Sequence, residues 1–301
     1  MKTRKRSFVE AACEGLPETA ERPFREALSR LWRENRAARV SIIIIALFTA
    51  AAIFAPVLTP YGYEQQDLAV RLSGPSARHL LGTDELGRDL LIRMLYGSRI
   101  SLLVGIVPTV LSMLVGAVLG ILAGYTGGRV DAVIMRLADI MLAFPSMLLA
   151  MVIMYTLGDG LINVLLALAL VSWAGVARIV RSETLKLRER EYIEAANCAG
   201  VSPFRIMLRH ILPNCVPSII VLFTLSVPSS ILSESALSFL GLGIQKPQAS
   251  WGLICNTGRQ FLYTDPWLSL APSIAIMLIV LAFNFLGDGL RDVLDPHLKN
   301  L

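Results

Sequence analysis

Six uncharged, mostly apolar stretches decide what this chain can become: residues 40–58, 100–125, 140–157, 161–177, 211–233 and 267–287. Crossing the hydrocarbon core of a bilayer takes about 18–25 such residues in a helix. In lipid only helices and closed barrels satisfy every backbone polar group, and stretches this long read as helices. The expected fold is therefore all-α, a polytopic membrane protein with six transmembrane helices. The third and fourth stretches are separated only by Gly158, Asp159 and Gly160, which predicts a tight helical hairpin. Composition agrees, since 17% of residues are charged where a soluble domain carries roughly 25%.

Orientation follows from Lys and Arg near the spans, which favour the cytoplasmic side. Ten of them precede the first span, from Lys2 to Arg39, and Arg178, Arg181, Lys186, Arg188, Arg190, Arg205 and Arg209 lie between the fourth and fifth. With six spans, both regions and the C-terminus fall on one side, so both termini are expected in the cytoplasm. Residues 59–99 are then external, although they carry Arg71, Arg78, Arg88, Arg93 and Arg99. Residues 1–39 read as a tail plus an interfacial helix, in which Phe24, Leu28, Leu31 and Trp32 share one face. The membrane domain occupies residues 40–301.

The cytoplasmic segment 178–213 holds the most informative pattern. A helix is expected over 183–199, ending at Gly200, the residue best suited to a left-handed C-terminal cap. Ser202 offers an N-cap hydroxyl and Pro203 sits at the first position of a second helix, where its missing N–H does no harm. Phe204, Met207, Leu208 and Ile211 form one apolar stripe, and Pro213 is expected to close the helix. A DNA-reading helix pair would need a free basic face, and here the stripe leads straight into a span. Nucleic acid is not an expected partner. A compact apolar loop is suited instead to docking a soluble protein.

Glu194, Ala195, Ala196, Gly200, Leu212 and Pro213 resemble the Glu-Ala-Ala loop of ABC importer permeases, with His210 standing where that pattern has Ile. Residues 79–102, 136–150, 239–252 and 281–298 further resemble the dipeptide, oligopeptide and nickel permease family, specifically its second, C-type permease. The resemblance implies a type I importer transmembrane domain in the bacterial inner membrane. It also implies a sister permease, two ATP-binding subunits and an extracytoplasmic solute-binding protein. Glu194, Ala195, Ala196, Gly200 and Pro203 would couple it to the ATPases, with the Glu194 carboxylate anchoring the first loop helix. Short peptides are the default solute, with nickel chelates, glutathione and other small solutes as alternatives.

No phosphate-binding loop exists here, and no Gly is followed by Lys. ATP and Mg belong to partner chains, and no cofactor is expected in this one. Four scattered Cys and three His give no metal site and no catalytic constellation. An ion-coupled secondary transporter is the rival class, but it leaves the docking loop unexplained. Polar residues at membrane depth are the remaining candidates. Ser229, Ser230, Ser233 and Glu234, next to Pro228, are candidates for the translocation path; Arg136 and Asp139 are expected to form a structural ion pair. Gly105, Gly116, Gly120 and Gly124 read as a helix-packing stripe. Outside, Leu86, Leu90, Met94 and Leu95 form an apolar stripe, with Asp89 and Arg93 spaced to pair.

Overall fold

A computed structural model describes residues 31–32, 35–59 and 61–294. Among them the chain is helical, with one isolated bridge between Thr83 and Asp89 in place of any sheet. Helix α1 runs Arg36–Leu58, its first turn capped by the Asn35 side chain, which accepts from the Ala38 N–H at 3.0 Å. After an irregular segment, α2 runs Leu90–Thr126, followed by α3 (Gly128–Ala143), α4 (Ser146–Leu157) and α5 (Leu161–Arg188). A short helix α6 (Glu191–Cys198) leads into α7 (Pro203–Phe239), which includes a π turn at Met207–Ile211. Helix α8 (Trp251–Gly258) precedes the last long helix, α9 (Trp267–Leu294). The expected interfacial helix before residue 40 lies outside the described residues except for Leu31 and Trp32. Leu31 is buried against Ala38 and Leu290.

Among the described residues, five helices are long and apolar enough to cross a membrane: α1, α2, α5, α7 and α9. The predicted third span is not one straight helix. Helices α3 and α4 meet at 93°, because Pro145 disfavours a helical Phe144 and drives it extended, at φ −93° and ψ 142°. The pair makes a sixth crossing only if both arms are counted together. Other spans run past their predicted ends. Helix α5 reaches Arg188 rather than residue 177, and α7 begins at Pro203 rather than 211. Hydropathy marks the portion soluble in lipid, whereas helix formers such as Glu183, Lys186 and Leu187 carry the coil onward into water. Pro213 does not close α7 either. The π turn absorbs it: the Leu212 N–H reaches the Met207 carbonyl, and Asn214 Nδ2 donates to the His210 carbonyl at 2.6 Å.

The expected 158–160 hairpin is present. Gly158 and Gly160 take positive φ, 82° and 138°, which L side chains rarely adopt. Asn163 Nδ2 closes the turn by donating to the Leu157 and Gly158 carbonyls at 2.9 and 3.0 Å.

Helices α2 and α5 pack tightly, and the glycine stripe explains it. A Cβ at Gly116 would lie 2.6 Å from the Val176 Cβ, at Gly120 2.6 Å from the Ala177 carbonyl oxygen, and at Gly124 2.7 Å from the Thr184 Cβ. Backbones thus meet directly along successive turns. Gly105 belongs to another contact, opposite Ile231 of α7. Helix α8 lies on the α2 N-terminal half. Trp251 donates from Nε1 to the Met94 carbonyl at 3.1 Å and from its backbone N–H to the Ser101 hydroxyl oxygen at 3.0 Å, and it meets Phe48 edge-on at 5.2 Å.

Candidate functional site

The loop between α5 and α7 is a rooted projection. Helix α6 begins after a break at Glu189 and Arg190, so the expected single helix over 183–199 is two helices. Its C-terminus is closed in the way Gly200 suggests. The Gly200 N–H bonds the Asn197 carbonyl at 3.0 Å and the Val201 N–H bonds the Ala196 carbonyl at 3.1 Å, with Gly200 at φ +76°. Val201 and Ala196 join the same apolar cluster, which completes a Schellman cap. Ser202 caps α7 with its backbone only, because its hydroxyl makes no capping bond. Pro203 stands at the first helical position as expected.

Ile193, Ile206 and Ile211 are fully buried and pin the loop to Ile121, Val180 and Cys215. Tyr125 adds a hydrogen bond from its hydroxyl to Asn197 Oδ1 at 3.0 Å. The anchor is therefore Ile193, not Glu194. Glu194 and Ala195 are exposed, Ala196 is half-buried, and among the described residues Glu194 has no ion-pair partner. The predicted stripe also splits. Ile211 faces inward while Phe204 and Leu208 stay 68% and 49% exposed, beside exposed Tyr192. The same short helices also expose Glu191, Glu194, Arg205 and Arg209.

Helix α7 has two faces of different character. Thr224, Val227, Ile231, Glu234 and Ser238 are buried within the chain. Ser218, Leu222, Leu225, Ser229, Ser233, Ala236 and Leu240, spaced three or four apart, are half-buried or exposed and form one strip. It is about 33 Å long at 1.5 Å per residue, close to the roughly 30 Å of a bilayer core. The four candidate path residues thus divide. Ser229 and Ser233 lie on the open strip, whereas Ser230 bonds Thr109 at 3.1 Å inside the bundle. Glu234 is fully buried. Its Oε1 accepts from the Ser238 hydroxyl at 2.7 Å and the Ser250 hydroxyl at 2.8 Å, and Ser250 also caps α8 by accepting from the Leu253 N–H at 3.1 Å. Glu234 therefore fastens α8 to α7 rather than lining the strip.

The Arg136–Asp139 pair does not form. Asp139 instead meets Arg178 of α5 at 2.6 Å, both half-exposed, and Asp131 of α3 pairs with Arg181. A neighbouring helix offered a better partner than the same helix three residues away. Likewise Asp89 does not pair with Arg93. It caps α2 by accepting from the Ile92 N–H at 3.1 Å and binds His79 Nδ1 at 2.8 Å.

Sequence reasoning missed the cluster to which these belong. Asp84 accepts from Arg88 Nε at 2.7 Å and from Arg93, all three being buried. Burial alone would raise the Asp84 carboxyl, but the Arg93 charge and the backbone N–H groups of Arg88 and Leu86 outweigh it and hold it below its usual value. The available signal was the close run of Asp84, Arg88, Asp89 and Arg93 ahead of a span.

A profile described as the binding-protein-dependent transport system inner membrane component matches residues 116–300, more than half of the chain. The chain belongs to that family. A second profile, the N-terminal TM domain of oligopeptide transport permease C, matches residues 22–75. The permease is 48% identical over 94% of its length to the dipeptide transport system permease protein of Alkalihalophilus pseudofirmus, of which 92% is covered. It is 44% identical to the glutathione transport system permease protein of Pectobacterium atrosepticum, over 92% of each chain. To the oligopeptide transport system permease protein of Bacillus subtilis it is 41% identical, covering 92% of this chain and 90% of the other. It is a C-type permease of an ABC importer, a multi-pass membrane protein and a transport subunit.

Proposed function

We propose that this permease forms, with a sister permease, the path by which short peptides enter a bacterial cell, driven by ATP hydrolysed on two separate subunits. An extracytoplasmic binding protein delivers the solute. Loop 189–202 and both termini then face the cytoplasm. Relatives named for dipeptide and oligopeptide transport support peptides, and the relative named for glutathione transport keeps glutathione as the second reading.

One observation carries the coupling role: a loop whose isoleucines are sunk in the bundle while Tyr192, Ala195, Phe204 and Leu208 remain uncovered. Such a projection transmits force in both directions, since its root and its contact surface are different faces of the same short helices. Glu194 supplies an exposed charge to the partner, and Gly200 sets the angle between α6 and α7. Space around Gly200 is open, with nothing within 4 Å of an added Cβ. Replacing it strains the backbone without a clash.

Co-reconstitution with the cognate ATPases, sister permease and binding protein tests this. Glu194→Lys and Gly200→Asp are expected to leave the complex assembled while uptake of a labelled dipeptide is lost and ATP hydrolysis continues. Normal uptake by either variant would overturn the coupling assignment.

A further inference from the structure

At the α6 end of the uncovered α7 strip lies a cleft of about 700 Å3 between α5, α7 and the end of α9. Its apolar wall includes Val221, Leu222 and Leu225 of α7, and its charged rim consists of Glu183, Lys186, Arg190 and Arg291. Glu183 is already engaged by Lys186 Nζ at 3.3 Å. Arg190 and Arg291 have no ion-pair partner among the described residues. The rim thus keeps these two guanidinium groups next to apolar side chains and to Ser218 of the α7 strip.

A planar guanidinium binds a carboxylate through two parallel N–H donors, a geometry that an ammonium does not reproduce. The volume falls in the roughly 300–1,000 Å3 range of small-molecule clefts. We propose that this cleft is a solute site near the end of the translocation path, and that Arg190 and Arg291 hold the carboxylate of the passing solute while its side chains lie against Leu222 and Leu225. The solute class is then a small molecule with an anionic end and an apolar body, as a short peptide has. A cationic metal complex would meet two like charges there. The inference rests on the importer reading above, which supplies the choice of probe.

Dialanine and its C-terminal amide are the probes, and saturation-transfer NMR is the readout. The sample is the permease pair with its ATPases, without binding protein, in nanodiscs of phosphatidylcholine alone. Dialanine should bind weakly, and amidation should weaken that binding about tenfold, the loss expected for one charge-assisted hydrogen-bonded contact. Arg291→Gln should do the same, whereas Arg291→Lys, which retains the charge, should lose less. Leu222→Asp, which sets a carboxylate on the opposite wall, should also weaken it. Copurification of the ATPases with each variant separates loss of the site from loss of the fold.

Equal binding of dialanine and its amide, no detectable binding, or binding indifferent to Arg291→Gln would overturn the assignment. So would displacement of dialanine when phosphatidylglycerol replaces part of the neutral lipid, which would give the cleft to a lipid headgroup. Uptake with the binding protein present is scored separately. Failure of wild-type dipeptide uptake counts against the peptide reading, and failure in the binding experiment counts against the cleft.

Discussion

The two ends of the helix bundle treat their charges in opposite ways. Around the start of α2, Asp84, Arg88, Asp89 and Arg93 are buried and find partners inside the chain, and Lys246 reaches Glu85 at 2.6 Å across the same surface. Around α6, Glu191, Glu194, Arg205 and Arg209 are exposed, as are the apolar side chains of Tyr192, Phe204 and Leu208. The first end pairs its charges within the chain, although Arg88 Nη2 and Arg93 Nε and Nη2 are buried without a hydrogen-bond partner. The second is organised underneath and unfinished on top, as a surface meant to be covered by another protein would be.

The comparison breaks most sharply at the buried cluster. Arg93→Ala, which removes one of the two guanidinium partners of Asp84 and empties a fully buried site, is expected to lower stability by about 3 kcal/mol, read as a large fall in melting temperature in nanodiscs. Next is Glu234. Glu234→Ala removes the acceptor of two buried hydroxyls and leaves a void, for a loss of about 2–3 kcal/mol, while Glu234→Gln keeps that acceptor and should stay within about 1 kcal/mol. Equal melting temperatures for the two variants would refute the fastening role of its Oε1.

Acid gives a smaller and graded effect. A carboxyl held below its ordinary value contributes stability that is complete above the unfolded value, near 3.8, and is lost as pH falls through the lower folded value. Melting temperature should therefore drop on acidification below about pH 4, and less steeply in Asp84→Asn than in the native chain. At the other end, Phe204→Ser should leave stability within about 0.5 kcal/mol yet reduce copurification of ATPase subunits. If that variant instead unfolded the permease, the loop surface would be core, and the contrast between the ends would vanish.

What could be read from the residues was local chemistry and lipid solubility. The 158–160 turn, the Gly200 cap and Pro203 at a helix start are decided by a few adjacent residues, so they were legible. The long helices were legible because lipid demands uncharged runs. Pairings across space were not. Arg136 and Asp139 satisfy a helix spacing rule, but nothing in the sequence places Arg178 2.6 Å from Asp139. Glu234 was noticed as a polar residue at membrane depth, yet its role depends on Ser250, which reaches it only through tertiary packing. The bend between α3 and α4 was available in principle from Phe144–Pro145, and a count of apolar residues is blind to it.

The glycine-backed seam between α2 and α5 has a mechanical consequence. At Gly116, Gly120 and Gly124 the α2 backbone itself meets Val176, Ala177 and Thr184 of α5, with no α2 side chain between. Two residues separate α5 from α6, and α2 starts in the buried charge cluster, so this seam connects the loop to the opposite end of α2. Sliding these two helices past one another would press the α2 backbone into those α5 residues, so the breaks in regular helix, at the Phe144–Pro145 elbow and the π turn of α7, are the easier places to flex.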